Sequence, residues 1–203
     1  MKLNFIKSII LALGCSVIIA CDDATEIKAK YSDDFLNPNK SEAYYEALRQ
    51  YKKTDHAVAF GWYGNWTGVG ASLANCMESI PDSVDFISMW GGWKNPSAEM
   101  LADLRLVQQK KGTKALICFI VLDCGDQLTP SEYANSMEAR EKYWGWVDGD
   151  TTAIRKAISK YANAICDTID KYNYDGFDLD WEPSYQTSTG TNKKMVPYVY
   201  MFV

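Results

Sequence analysis

The sequence predicts an α/β protein organised on a parallel sheet, and three observations carry that expectation. From residue 41 onward, short apolar runs alternate with longer stretches of helical periodicity. One run, Ala115 to Leu122, is eight consecutive apolar residues, the composition of a strand covered on both faces. Another ends in carboxylates at alternate positions, Asp178, Asp180 and Glu182. Alternation at this period implies parallel strands joined by crossover helices, in a (β/α) barrel or an open doubly wound sheet.

Taken in order, residues 1–20 read as a targeting segment. Lys2 and Lys7 form a basic start, and Ile9 to Ala20 is an almost uninterrupted apolar run, too short to cross a bilayer comfortably. Ile18-Ile19-Ala20-Cys21 resembles a bacterial lipoprotein signal, in which cleavage leaves Cys21 as the lipidated N-terminus; an ordinary secretory peptide with an incidental cysteine is the alternative. Asp22 and Asp23 resemble the acidic export tag of surface-displayed lipoproteins, so the expected location is the outer membrane, facing outward. Residues 21–40 are polar, contain Asn37-Pro38-Asn39, and read as the lipidated tether.

Order is expected from residue 41. Ser41 and the run Glu42 to Lys53 suggest a capped helix. Ala57 to Trp62 is the first strand, Val69 to Ile80 a helical pattern, Val84 to Trp90 the second strand, and Ser97 to Lys111 a helix with Met100, Leu101, Leu104 and Val107 at helical spacing. The third strand, Ala115 to Leu122, is closed by Asp123. A loop or short helix runs through Trp146. The clearest helix starts near Asp150, with Ile154, Ile158, Tyr161, Ile165, Ile169 and Tyr172 along one stripe. It delivers the acidic strand. After a polar loop, Pro197 to Val203 looks like the opening of a further helix.

In a strand, side chains at i, i+2 and i+4 share a face, so Asp178, Asp180 and Glu182 stand in a row about 6.5 to 7 Å apart, with Phe177, Leu179 and Trp181 opposite. Carboxyls that close cannot all ionise comfortably when partly buried, which keeps a neutral acid beside an ionised one. A solvated strand with an acidic face would show the same alternation. A calcium loop would place Gly176 and Glu182 at positions six and twelve but Lys171, a cation, at position one. The acids favour a barrel over an open sheet: one strand face lines a barrel interior and its C-terminal end opens into the active site, so the three would climb from core to mouth. Trp62 follows strand one, Trp90 and Trp93 flank Gly91-Gly92 after strand two, and Asp123 ends strand three, all at the same mouth. Aromatic faces make platforms for sugar rings, although rim packing would recruit them equally well.

Composition narrows the chemistry. Removing residues 1–20 takes out two lysines and no acid, moving the formal charge from -5 to -7. An acidic chain without a basic run argues against nucleic acid and suits neutral substrates. Cys76, Cys118, Cys124 and Cys166 form no Cys-x-x-Cys pair, so no metal site is expected and the thiols are expected to be mostly buried. The single histidine, His56, lies at the far end of strand one from the mouth, which disfavours a histidine-dependent triad. No phosphate-binding glycine loop is legible.

Asp175-x-x-Asp178-x-Asp180-x-Glu182, followed by Pro183, resembles the strand-four signature of glycoside hydrolase family 18, the chitinases and endo-β-N-acetylglucosaminidases. The resemblance implies the first four βα units of a (β/α)8 TIM barrel over residues 41–203, with no cofactor. It implies Glu182 as proton donor, Asp180 as the group that orients the substrate's acetamido group, Asp178 as its partner, and a mainly structural Asp175. Trp62, Trp90 and Asp123 are the expected substrate contacts. Two departures, Phe119 to Asp123 where many chitinases have Ser-x-Gly-Gly and Pro183 where they tend to have Tyr, favour the endo-β-N-acetylglucosaminidase branch. A complete barrel takes on the order of 250 residues, and only four strands are legible; a truncated half-barrel is expected not to turn over substrate alone. A surface glycan-binding lipoprotein is the alternative, disfavoured by the acid at 182.

Overall fold

The computed structural model describes residues 40–70, 73–184 and 193–203. All of them fall in the unit Lys40–Val203. The expected signal segment and lipidated tether, Cys21 included, lie outside the described residues up to residue 39.

The described residues hold four α-helices and four strands, with two helices before the fourth strand and none between the first two. Helix α1 (Glu42–Tyr51) begins at Ser41, whose Oγ accepts the Tyr44 amide, and is followed by β1 (Phe60–Gly64) and β2 (Phe86–Trp90). Helix α2 (Ala98–Leu106) passes into a π turn, Val107–Lys111, ended by Gly112 in the left-handed region. Strand β3 (Lys114–Ile120) precedes the short α3 (Met137–Trp144) and the long α4 (Thr151–Tyr172). The Asp150 carboxylate accepts the Thr152 and Ala153 amides at 2.9 and 3.0 Å, and Asn173 in the left-handed conformation turns the chain out of α4 into β4 (Gly176–Asp180).

The sheet order is β1-β2-β3-β4, all parallel. A doubly wound sheet reverses its strand order at a switch point; sequential order is that of a barrel wall. The described residues thus form an unclosed, partial (β/α) barrel, with β1 and β4 as its edges. Alternation sorts the strands into two faces. Ile87, Met89, Ile117 and Phe119, with Phe177 and Leu179, share one core with Leu104, Val107, Ile154, Ala157, Ile158, Tyr161 and Ile165 of the helices. The opposite face, toward the barrel interior, carries Trp62, Ser88, Trp90, Cys118, Ile120, Asp178 and Asp180.

Three expectations change. Residues 69–80 hold two 3-10 turns, Leu73–Asn75 and Met77–Ser79, instead of a helix. The buried Asp103 carboxylate takes the Met77 and Glu78 amides at 2.7 and 3.0 Å together with Trp66 Nε1 at 2.9 Å, so these donors are committed to α2 and not to a helix of their own. Gly68 adds a second constraint, since at φ 69° a Cβ there would stand 2.7 Å from Met100 Cα. The segment Val196–Met201 is likewise a 3-10 turn, not an α-helix. Of the thiols, Cys118 and Cys124 are buried, Cys76 is half-buried and Cys166 exposed, all four free.

At the N-terminal end of the strands, His56 Nδ1 and Nε2 face two acceptors, Thr54 O at 2.8 Å and Asp85 Oδ1 at 3.2 Å. Two acceptors require two ring protons, so the imidazolium is favoured and the His56 pKa is raised, by the Thr54 carbonyl first and Asp85 next. Burial pushes Asp85 up, but the Ala59 amide and His56 outweigh it and hold the carboxyl below its usual range. A raised imidazole pKa contributes stability that is fully present below about 6.5, the value in the unfolded chain, and is lost as pH rises through the folded pKa. Urea unfolding from pH 5.5 to 8.5 should therefore show stability falling across that window in the native protein, and His56→Gln should flatten the decline.

Candidate active site

The acids of β4 are held at three heights. At the base, the Asp175 carboxylate accepts the Ala115 amide at 2.9 Å, Gln108 Nε2 at 2.6 Å and Lys114 Nζ at 3.1 Å. Every one of these partners belongs to the π turn or β3, so Asp175 ties the start of β4 to its neighbour. Two pairs higher, Asp178 lies beside Cys118 in register and accepts Ser88 Oγ at 2.6 Å, reaching across β3 to β2. Asp180 pairs with Ile120 at the last rung. Glu182 lies beyond that rung and is exposed. The sequence placed it on the strand with the other two; the ladder ends at Asp180 because the chain there leaves β3 for the loop.

Asp180 is the perturbed member. Its Oδ2 is enclosed with no hydrogen-bond partner among the described residues. Burial raises its pKa first, the negative charges of Glu182 and Asp178 raise it further, and a hydrogen bond to Glu182 does the same. Beneath them, burial pushes the Cys118 thiol up to about 11, leaving it neutral packing beside Asp178. The arrangement can hold a proton at one carboxyl while another stays ionised, which is the requirement of general acid/base work.

The aromatic residues divide. Trp62 and Trp90 stack with centroids 5.4 Å apart and planes 7° from parallel, and they stay 63% and 43% exposed. This is an open platform on the same face as the acids. Trp93 is buried instead, its Nε1 donating to Cys118 O at 3.2 Å while its own carbonyl accepts Tyr174 Oη at 2.9 Å. Asp123 is only 1% exposed, and its Oδ1 accepts the Lys194 amide at 2.7 Å. That places it under the chain returning from β4, clamped beside the Met195 amide on Leu122 O, and not on the open surface with the two tryptophans.

Ser88 escaped the sequence reading. It stands two residues before Trp90 on the same strand face, and that spacing was the available signal. Among the described residues, no group of three or more His, Cys, Asp or Glu side chains is placed to hold a metal ion.

A partial barrel whose fourth strand ends in a row of carboxyls, beside exposed aromatic faces, defines a glycoside hydrolase-like protein. The chain belongs to glycoside hydrolase family 18: the family model described as Glycoside hydrolase family 18, BT1044-like, matches residues 22–202. Endo-beta-N-acetylglucosaminidase F2 of Elizabethkingia meningoseptica is 27% identical over 153 residues, covering 71% of this chain and 38% of that protein. A solved structure of BT1044, in selenomethionine form with one glutamate changed to glutamine, shares 43% identity with a TM-score of 0.63, over 76% of this chain and 49% of its own. The chain therefore spans half or less of the length of these relatives.

The electrostatics of the row are open to direct measurement. Carboxyl carbon NMR titration should find Asp180 the acid displaced upward, and Asp178→Asn should bring it down, because a neighbouring negative charge is removed. An Asp180 titration that stays put in that variant would mean the two carboxyls are not coupled.

Proposed function

We propose that this chain carries the catalytic acids of an endo-β-N-acetylglucosaminidase that hydrolyses the β-1,4 bond between N-acetylglucosamine residues, in the chitobiose core of N-glycans or a chitin-like chain. The observation that supports the reading most is the row itself: Asp180, its pKa raised by burial and by the neighbouring negative charges of Glu182 and Asp178. Family membership and the relationship to endo-beta-N-acetylglucosaminidase F2 point the same way.

The mechanism that fits is retaining and substrate-assisted, without an enzyme nucleophile. Glu182 gives its proton to the glycosidic oxygen as the bond to the anomeric carbon breaks. The oxygen of the substrate's own 2-acetamido group attacks that carbon, forming a cyclic oxazolinium ion. Asp180 accepts a hydrogen bond from the acetamido N–H and offsets the developing positive charge. Glu182, now ionised, takes a proton from water, whose oxygen opens the ring from the face the leaving group occupied. Asp178, held by Ser88, keeps a second negative charge under Asp180. Trp62 and Trp90 offer the apolar faces on which sugar rings lie, and Asp123 supports the mouth from below through the Lys194 amide.

In the whole enzyme, Glu182→Gln should lower hydrolysis by at least about a hundredfold, the scale of general acid/base catalysis, while glycan affinity changes little. Near-native turnover in that variant, or equal cleavage of substrates with and without the 2-acetamido group, would remove the proposal.

We further propose that the protein is an outer-membrane lipoprotein displayed at the cell surface and anchored through Cys21. The run Ile18-Ile19-Ala20-Cys21, followed by Asp22 and Asp23, supports this reading. A fatty-acid analogue fed to expressing cells should label the native protein and leave Cys21→Ser unlabelled; label on the variant would refute the anchor.

A further inference from the structure

A cleft of about 460 Å³ opens between the loop after β2 and the C-terminal end of β3, a size within the range of small-molecule sites. It adjoins the acid row. Trp90, which stacks on Trp62, forms part of its wall, and so do Cys118 and Ile120, the register partners of Asp178 and Asp180. Its floor is apolar, and its polar groups are Lys94, Asn95 and Gln127, which bring an ammonium and two carboxamides. No carboxylate is among the lining residues.

Lys94 is held where it is by its neighbours. Gly91 and Gly92, at φ 94° and 76°, turn the chain over the end of β2, and the buried Trp93 pins that turn to the sheet. The Lys94 ammonium lies 5.7 Å from the Trp93 ring and has no carboxylate partner among the described residues. Lys40, Lys111, Lys114 and Lys194, by contrast, each meet an acid within 3.2 Å. Burial alone lowers the Lys94 pKa, with no opposing negative charge to restore it. Lys94 remains exposed at the lip of the cleft, and a cation there, with no carboxylate in the lining, suits an anionic group of a ligand.

Building on the function proposed above, we propose that this cleft is a specificity subsite for a carboxylate-bearing sugar of the glycan, a sialyl or uronyl residue. Its carboxylate pairs with Lys94, Asn95 and Gln127 hydrogen-bond its remaining oxygens, and its ring rests on Trp90. The charge complementarity is local. It sets the subsite apart from the acid row beside it, because the lining of the cleft carries a cation and no carboxylate. A neutral sugar would leave the ammonium without a counter-ion.

The test is equilibrium binding by calorimetry to the whole enzyme carrying Glu182→Gln, so that glycans persist during the titration. Three probes share one biantennary N-glycan: capped with sialic acid, capped with glucuronic acid, and uncapped. At least one acidic glycan should bind about tenfold or more tighter than the uncapped one, and the two acidic arms identify which sugar is favoured. Lys94→Gln in that background should erase the preference with uncapped affinity unchanged, and Lys94→Arg should keep it. Equal binding of all three probes, or a preference that survives Lys94→Gln, overturns the subsite while leaving the endoglycosidase reading intact. Failure of all three glycans to bind a protein with native circular dichroism overturns both.

Discussion

The register of β4 on β3 is the constraint on which the site depends. Phe177 and Leu179 go into the helix-side core, so Asp178 and Asp180 must face the barrel interior beside Cys118 and Ile120. A slip of one residue would bury the two carboxyls among the aliphatic side chains of α4 and expose the aromatics, a change far more costly than the few kcal/mol that separate folded from unfolded chains. Asp175 guards against that slip from below, because its carboxylate takes the Ala115 amide at the first rung. Asp175 thereby helps fix the direction in which Asp178 and Asp180 point.

From this register the perturbation of Asp180 follows. It sits two rungs above an acid already held by Ser88 and two residues before an exposed Glu182, in a partly closed environment. Burial and like charge act in the same direction there, and neither would suffice as well alone. The arrangement costs stability on a sheet face that would otherwise carry branched aliphatics, and such a cost is what distinguishes a site from a packed interior. The exposed tryptophan pair depends on the same parallel ladder, since Trp62 and Trp90 come from adjacent strands and meet only because β1 and β2 pair as they do.

Much of this was legible in the sequence because it is written in local periods. The alternation of residues 177–182 identified the two faces of β4, the stripe from Ile154 to Tyr172 identified α4, and Asp150 marked its start. These features need only the geometry of one strand or one helix, which the backbone imposes on any sequence. The connection rules for parallel sheets left a barrel and an open sheet both possible, and the acids of residues 178, 180 and 182 favoured the barrel and its mouth.

What only the tertiary structure decided is where distant groups compete for the same partner. Residues 69–80 have a helical pattern, yet Asp103, 26 positions beyond Met77, captures their amides and leaves two short turns. Ser88 reaches Asp178 across 90 residues of chain. Asp123 looked like a rim residue by position, but the chain returning after β4 covers it and takes its carboxylate. Periodicity says which face a side chain takes; it does not say which atom will be within hydrogen-bonding distance when four strands and their loops have closed together. The acid row was therefore readable residue by residue, whereas the enclosure of Asp180, the aromatic platform and the cleft beside it exist only in three dimensions.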